Sequence, residues 1–566
     1  MPESPDLQAS LDDYMKGRLT RRGFLARAAV VGVSAAAAGQ MLAACSSQGS
    51  STASGSAAAS AAASAAAPSA AAQPVSGGIF REGYDRDLTP PDPVRNAWAD
   101  PSFNAFFEAV IVRNPEGDPV PMLAESFDYD DTAWNFTIRE GLTFHSGEPC
   151  TPEVIVKDFD LYRDPNTGQN GIFWTPITKV SASGQVVTCS LSAPFAAFQE
   201  TVTTEYSYAM NPAAREKAGD TWGSKVIDGN GPFELGEFTP GQKLTAKRWE
   251  AYPGTPAPFI TNKGPAYLEG IEWIPITQAS QRAPEIETGN VDAIKNPPPQ
   301  DVERLKSNPD LVVQEFQELS NFFLSVNVGD SSLGFDDVRV RQAISNAIDR
   351  EGIVQSIFLG QAVATYGPVM PGNKWYDPAV EQYNQYDPEK SKALLDEAGW
   401  KAGGDGIREK GGKKLSFTTY QLNEAVEVQV MQAVAEMLKA VGIEMKVEAS
   451  DGAAFFPKLT AETTSYAFKW LWSSPIDVCV LFVQFYQPAG KVVDATMAAY
   501  KQWQTAANDE QLQAGASAVQ MDIAQQLGII PIYTPNTIWV NNKKVIGWQA
   551  NQANLYPFYN DVWLAV

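Results

Sequence analysis

Histidine and cysteine set the limits on the chemistry that this chain could perform. Among 566 residues there is one histidine, so a multi-histidine metal site is excluded, and a catalytic triad or Cys-His pair would depend on His145 alone. Apart from Cys45, three cysteines remain (Cys150, Cys189 and Cys479), which permits at most one disulfide, and neither CxxC nor zinc-ligand spacing occurs. These counts argue against catalysis by histidine or cysteine and against a zinc site. We predict no catalytic site, no metal and no cofactor.

A glycine- and lysine-rich stretch at 406–413 comes close to a phosphate-binding loop. In that motif a lysine follows the second glycine directly, whereas Gly412 takes this place here and Lys413 comes one residue late. Glycines before the strand-like KLSFTTY are typical of a hairpin turn. The stretch therefore predicts a turn and no nucleotide site.

Apolar periodicity predicts a mixed α/β protein. Residues 132–144 alternate as in a half-buried strand, and 528–542 read as a buried strand with prolines at its edges. Helical spacing runs through 336–358 and through 387–400, where Asp387 and Pro388 form a helix start. The segment 423–450 predicts a long helix that ends at Gly442 and leads into a strand, an α/β unit.

Size and net charge further limit the class of protein. About 490 residues follow the first 75, too many for one hydrophobic core, so two or three lobes are expected. The formal net charge of −23 makes nucleic acid a poor partner, because phosphate neutralisation dominates such binding. No later apolar run is long enough to span a membrane.

The N-terminal sequence TRRGFLARAAVVGVSAAAAGQMLAACSS (20–47) predicts an export signal and an anchor. Arg21 and Arg22 stand in a stretch that resembles the twin-arginine motif, and a weak apolar run of about 15 residues follows, shorter than a membrane span. The residues before Cys45 resemble a lipobox. We expect residues 1–44 to be a signal peptide, Cys45 to carry lipid, and the Ser/Ala-rich 45–75 to be a disordered linker.

Several motifs in one order resemble a known family. PVPMLAESFDYDDTAWNFTIREGLTFHSGEPCTPEVIVKDF (119–159) is the most specific, and DGNGPFELGEF (228–238), IETGNVDAI (286–294), DDVRVRQAISNAIDREGIV (336–354) and YDPEKSKALLDEAGW (386–400) follow it. Over 77–550 the chain is similar to the extracytoplasmic solute-binding proteins of ABC importers, peptide/nickel type. Members carry a histidine at the place of His145, away from the ligand, so a structural role is expected for it.

The resemblance implies a two-lobed clamp of the large three-subdomain variety, with a hinge between the lobes. Lobe I would comprise 76–321 and 528–566, with an inserted subdomain at about 116–232. Lobe II would comprise 322–527, and the ligand would bind in the cleft between the lobes.

The stretch YAFKWLWSSPIDVCVLF (466–482) resembles the segment in which peptide-binding members hold the peptide amine with an aspartate. Trp472 matches the aromatic residue, but Ser474 or Pro475 stands at the place of the acid. This departure argues against recognition of a free amine, since a buried ammonium needs a charged partner. Trp472, Ser473 and Ser474 would suit a neutral, polyhydroxylated ligand instead.

Other candidate contacts lie where the resemblance places the cleft. Arg86, after the first strand, could hold a carboxylate, because α/β ligand sites form at the carboxyl ends of strands. The remaining candidates are an aromatic pair, the crossing strand and two tyrosines: Phe455, Phe456, Asn321, Phe322, Phe323, Tyr84 and Tyr366.

The function implied is capture of a small solute, an oligopeptide or oligosaccharide, by a monomeric, lipid-anchored protein on the outer face of the cytoplasmic membrane or in the periplasm. Its partners would be the permease and ATPase subunits of an ABC importer, without chemistry on the ligand. Two alternatives stay open. One is an exported hydrolase such as a glycosidase, which would need two facing carboxyl groups. The other is a binding protein used for sensing.

Overall fold

The computed structural model describes residues 73–95, 101–164, 166, 174–460, 462–471, 491–549 and 557–565. The strands are β1 Ile79–Tyr84, β2 Ile111–Arg113, β3 Pro119–Pro121, β4 Ala124–Tyr129, β5 Ala133–Ile138, β6 Ile177–Ser183, β7 Val186–Leu191, β8 Phe233–Thr239, β9 Lys243–Arg248, β10 Gly270–Pro275, β11 Ala293–Lys295, β12 Leu311–Gln317, β13 Ser320–Val326, β14 Ala362–Ala364, β15 Lys401–Ala402, β16 Arg408–Lys410, β17 Lys413–Lys414, β18 Ser416–Leu422, β19 Glu444–Ser450, β20 Ser465–Leu471, β21 Ile529–Asn542, β22 Val545–Ile546 and β23 Trp563–Leu564.

The helices are α1 Phe103–Phe106, α2 Pro152–Arg163, α3 Phe198–Val202, α4 Pro212–Ala218, α5 Ala279–Glu287, α6 Pro299–Lys306, α7 Val338–Asn346, α8 Arg350–Ile357, α9 Pro388–Glu397, α10 Ala425–Ala440, α11 Gly452–Phe455, α12 Lys491–Gln504 and α13 Asp509–Gln526. No helix within these residues is long and apolar enough to cross a membrane.

One mixed sheet runs through both halves of the molecule. Its strand order is β19-β18-β20-β13-β21-β11-β1-β10-β9-β8, and β12 and β14 also pair with β21. The first half of β21 pairs with β13 and its second half with β12, so this long strand belongs to both halves. Pro531 lies in β21 opposite an irregularity between Phe322 and Phe323, where its missing N–H interrupts the ladder.

Each half is an α/β lobe with its own buried side chains. In the first, β1 is parallel to both β10 and β11. In the second, β18 is parallel to both β19 and β20, and α7, α8 and α10 pack on its core. Inserted after β3 is a four-stranded antiparallel sheet, β4-β5-β7-β6, covered by α2.

Most predicted elements are confirmed at their predicted places. Trp134, Phe136 and Ile138 are buried and alternate along β5. Asp387 caps α9 by accepting a hydrogen bond from the Lys390 N–H. The glycine-rich stretch forms the turn between β16 and β17.

The single helical run predicted over 336–358 is wrong in one respect. The structure has two helices, α7 and α8, separated at residues 347–349. The carboxylate of Asp349 accepts a hydrogen bond from the Gly352 N–H and so starts a new helix. Apolar spacing continues across the break because both helices cover the same core, so periodicity could not reveal it.

Candidate functional site: a charged cleft between the lobes

The site lies at the carboxyl ends of the parallel strands, where ligands bind in open α/β sheets. On the first lobe β1 ends at Tyr84, and Asp85 and Arg86 follow. The neighbouring strand β11 ends at Lys295, and Asn296 follows in a left-handed conformation (φ 49°). These turns place polar side chains at one edge of the sheet.

Asp85 is held firmly in this edge. Its Oδ2 accepts a hydrogen bond from the Asn296 side chain at 2.7 Å, and its backbone carbonyl accepts one from the Arg282 guanidinium at 2.8 Å. Desolvation opposes the charged carboxylate, but Arg86 and Arg282 outweigh it and lower the pKa of Asp85 to about 2. Asp85 is therefore an anion that fixes the position of Arg86.

Arg86 has hydrogen-bonding capacity to spare. Its Nε lies 3.4 Å from Asp85 Oδ1, its guanidinium lies 5.8 Å from the centre of the Tyr84 ring, and its side chain is 43% exposed. Within the described part of the chain, Asp85 is its only hydrogen-bond partner. Desolvation lowers the pKa of Arg86, but electrostatic interactions with Tyr84, Asp85 and Glu318 raise it by a larger amount. The pKa is therefore raised overall, and the guanidinium stays charged.

The second lobe contributes Lys469 from β20. Its Nζ lies 3.6 Å from Glu318 Oε2, and its side chain is 22% exposed. Desolvation acts against the ammonium, but Glu318 and Glu427 outweigh it and raise the pKa of Lys469. Arg86 acts in the opposite direction on the same pKa, which indicates that the two cations, one from each lobe, are near enough to interact electrostatically.

Glu427, in the first turn of α10, interacts electrostatically with the same charged groups. Burial raises the pKa of Glu427 to about 7, while Lys469 and Arg86 lower it and Glu424 and Glu318 raise it. It makes no hydrogen bond or ion pair within the described residues. The cleft thus combines two cations with spare capacity and an acid that titrates near neutral pH.

Glu318 lies where the chain crosses between the lobes, and it is fixed from two sides. It accepts a hydrogen bond from Ser320 Oγ and another from Thr537 Oγ1 at 3.1 Å. Its carboxylate is therefore held in a fixed position by residues of β13 and β21, next to Lys469.

The crossing-strand residues proposed as ligand contacts are engaged within the protein. The Asn321 amide donates to the Gly367 carbonyl at 2.9 Å and accepts from Thr365 Oγ1 at 3.2 Å. Phe322 and Phe323 are buried in separate cores on the two faces of β13. These three side chains position the hinge strand in the structure described here.

The aromatic candidates differ in exposure. Phe455 is buried against Phe468, with ring centroids 5.6 Å apart, whereas its neighbour Phe456 is 53% exposed. Tyr84 is 4% exposed, beneath the charges of Arg86 and Lys295. Tyr366 is half-buried, with the Arg350 guanidinium 5.3 Å from its ring centre.

Trp472, Ser473 and Ser474 lie outside the described residues, as do Cys45, Arg21 and Arg22. Their roles therefore stay predictions. Among the residues that the structure does describe, no group of three or more His, Cys, Asp or Glu side chains could hold a metal ion.

His145 lies in the inserted region, in a turn that joins two loops. Its Nε2 donates to the Gly231 carbonyl at 3.0 Å, its Nδ1 accepts from the Gly229 N–H at 3.3 Å, and its ring packs edge-on against Trp249. Burial lowers the pKa of His145 to about 4, against the effects of Gly231 and Asp228. The neutral imidazole therefore acts as a structural hydrogen-bonding group.

Sequence reasoning included Arg86 but missed Lys469, Glu427 and Glu318. Lys469 does carry a signal, since it interrupts the apolar alternation of β20 at a position on the same face as Ala467. Glu427 and Glu318 carry none, because their importance comes only from the approach of the two lobes.

The chain belongs to the bacterial extracellular solute-binding proteins of family 5, whose family model (the middle region) matches residues 118–492. Curated relatives include the glutathione-binding protein GsiB of Escherichia coli strain K12 and that of Shigella flexneri. Both are 27% identical to this chain over 354 residues, 61% of this chain and 64% of theirs. The match therefore spans less than two thirds of the length of these relatives.

Solved structures confirm the two-lobed clamp. The oligopeptide-binding protein AppA from Bacillus subtilis, in complex with a nonapeptide, aligns with a TM-score of 0.75 and 21% identity over 87% of this chain and 100% of that one. NikA from Brucella suis, in complex with Fe(III)-EDTA, aligns with a TM-score of 0.73 and 18% identity over 86% of this chain and 100% of its own. At such identities the similarity establishes the fold alone.

Proposed function

We propose that the chain is the solute-binding component of an ABC importer and that it closes its cleft on a small, carboxylate-bearing solute of the peptide class. The observation that carries this proposal is the pair of cations, Arg86 and Lys469, which reach one space from opposite lobes and keep donors free. A ligand carboxylate would accept hydrogen bonds from both lobes and so favour the closed clamp.

The cluster favours a peptide over an oligosaccharide. Desolvated charges are costly unless they are paired, and a neutral sugar would leave Arg86 and Lys469 without a new partner. Glutathione, which the curated relatives are named for binding, is a peptide with two carboxylates and one amine, and it is therefore a suitable first probe.

The proposal includes no chemical step on the ligand. Hydrogen bonds and ion pairs hold the carboxylates of Asp85 and Glu318 at fixed places, and Arg86 and Lys469 keep donors available, which suits binding. Partners would be permease and ATPase subunits. The motifs at Arg21, Arg22 and Cys45 support export and a lipid anchor on the outer face of the cytoplasmic membrane or in the periplasm.

A thermal-shift panel tests the binding class. Glutathione, unrelated tripeptides, maltotriose, opines and metal chelates would each be added to the protein, since a ligand that binds only the folded state raises the melting temperature. We expect peptides with free carboxylates to raise it and maltotriose to leave it unchanged. A response to maltotriose alone would overturn the ligand class, and release of product from a glycoside would overturn the binding role.

A further inference from the structure

A second cavity lies beside the charged cleft, at the junction of three separate chain segments. It has a volume of about 460 Å³, including its open mouth, and it is lined by the turn 115–117, by Arg113 and Glu200, by Leu319 and by the loop 372–375. Leu319 directly follows Glu318 of the charged cleft in the sequence, so the segment that leads into β13 contributes to both sites.

The floor of this cavity is a buried ion pair with one oxygen left over. Arg113 donates to Glu200 Oε2 at 2.5 Å, and both side chains are almost fully buried, 6% and 3% exposed. Glu200 Oε1 is buried and has no hydrogen-bond partner among the described residues. A buried carboxylate oxygen without a donor is costly, so the cavity favours a group that donates hydrogen bonds to it.

The wall of the cavity adds a free donor and an aromatic face. Trp375 is 4% exposed, and its Nε1 is buried without a partner in the described part of the chain. An indole nitrogen can only donate, so its missing partner must be an acceptor. The carboxylate oxygen thus lacks a donor and the indole N–H lacks an acceptor, and a ligand that carries both kinds of group could satisfy them.

The chain itself shows which kind of donor fits. The Lys374 ammonium lies 3.9 Å from Glu200 Oε1, beyond hydrogen-bond distance, and 4.5 Å from the centre of the Trp375 ring. Its side chain is 44% exposed, so it can move aside at small cost. An ammonium between a carboxylate and an indole face is stabilised by both.

We propose that this cavity is a second binding subsite, specific for a primary ammonium group next to a carbonyl, as at the amino end of a peptide, and that Lys374 stands in for that group. The ligand ammonium donates to Glu200 Oε1 and replaces Lys374 over the ring of Trp375, and the adjoining carbonyl accepts from Trp375 Nε1. The serine and proline that replace an acid near Trp472 then do not prevent recognition of an amine, because Glu200 supplies the acid.

The two sites together define the chemistry of the two ends of the ligand, and this extension rests on the function proposed above. The ammonium subsite would take an amine, and the cations Arg86 and Lys469 of the charged cleft would take a carboxylate.

Fluorine NMR of protein labelled with 5-fluorotryptophan tests the subsite apart from the charged cleft. The probe is L-alaninamide, which has an ammonium and a carbonyl but no carboxylate, and N-acetyl-L-alaninamide is the matched probe without the ammonium. We expect L-alaninamide to shift the Trp375 resonance, assigned with Trp375→Phe, in a saturable way, and the acetylated probe to leave it in place.

Lys374→Met sharpens the test, because it removes the competing ammonium without touching the buried ion pair. The dissociation constant of the Lys374→Met variant for L-alaninamide should fall roughly two- to fivefold, because the free energy of one exposed ion pair corresponds to a change of this size. Lys392→Met, at a lysine of similar exposure (39%), should leave the constant unchanged. Equal responses to both probes, or no Trp375 response in wild type and in Lys374→Met, would overturn the subsite.

These results separate the two proposals. A response to L-alaninamide together with indifference to carboxylates would keep the subsite and overturn the peptide-carboxylate function. A response to carboxylates alone would do the opposite.

Discussion

At the scale of single residues, the structure separates groups that hold the protein together from groups with capacity to spare. His145 makes a hydrogen bond with each ring nitrogen, and Arg282 donates to several backbone carbonyls. Arg86, Lys469 and Glu427 are different, since each is charged or titratable and only partly engaged. Residue type alone does not reveal this difference, because an arginine can have a structural role, as Arg282 does, or keep donors available, as Arg86 does.

The buried state of His145 gives a pH dependence of stability. Its pKa is about 4 in the folded protein and 6.5 in a free histidine, so the unfolded chain binds more protons between these values. The stability that neutral His145 contributes is complete above pH 6.5 and is lost as the pH falls towards 4, by up to about 3 kcal/mol.

Urea unfolding at pH 7.5 and pH 5 measures this loss. In His145→Gln the contribution of His145 between pH 6.5 and 4 should disappear, while the contributions of carboxyl groups such as Glu427, whose pKa is raised to about 7, remain. An identical pH profile for the two proteins would show that His145 titrates normally in the folded state.

At the scale of elements, local signals predicted most of the fold. The capping of α9 by Asp387 and the alternation of β5 depend on neighbours in sequence, and both are confirmed. The break between α7 and α8 depends on the carboxylate of Asp349, which accepts a hydrogen bond from the Gly352 N–H. The apolar periodicity continues across this break, so the prediction treated the segment as one helix. The path of β21 through both lobes could not be read from its sequence, because strand partners are set by tertiary contacts.

The turn DGNGPF shows how tightly one element can be fitted. A Cβ atom on Gly229 would lie 2.0 Å from the Phe106 carbonyl oxygen, which is backbone and cannot move aside. Gly229→Ala should therefore lower the free energy of unfolding by about 3 kcal/mol. Gly404→Ala is the matched control, since nothing lies within 4 Å of its Cβ position.

Denaturant unfolding of the two alanine variants measures this difference. The expected loss of stability in Gly229→Ala arises because the turn must move away from α1. The same turn also makes the hydrogen bonds to His145, which this movement would weaken. Equal stability of Gly229→Ala and Gly404→Ala would mean that the approach to Phe106 is looser than described.

At the scale of the whole molecule, function depends on which charges the two lobes bring together. Arg86 could be predicted as a candidate from its place after a strand, but Lys469 and Glu427, the other cleft groups with hydrogen-bonding capacity left over, lie more than 300 residues later in the sequence. Their approach follows from the strand order, in which β1 and β20 belong to one continuous sheet. The proposed ligand chemistry therefore depends on both lobes together and on no single motif.

Isothermal titration calorimetry with glutathione tests the central claim most directly. The wild-type protein should bind it, and both Arg86→Gln and Lys469→Gln should weaken binding by about tenfold or more, because each removes a charged hydrogen bond to the ligand. Arg304→Gln, at a 49% exposed arginine of α6 outside the cleft, should bind as tightly as wild type. Binding that is unchanged in Arg86→Gln and Lys469→Gln would contradict the account of the cleft.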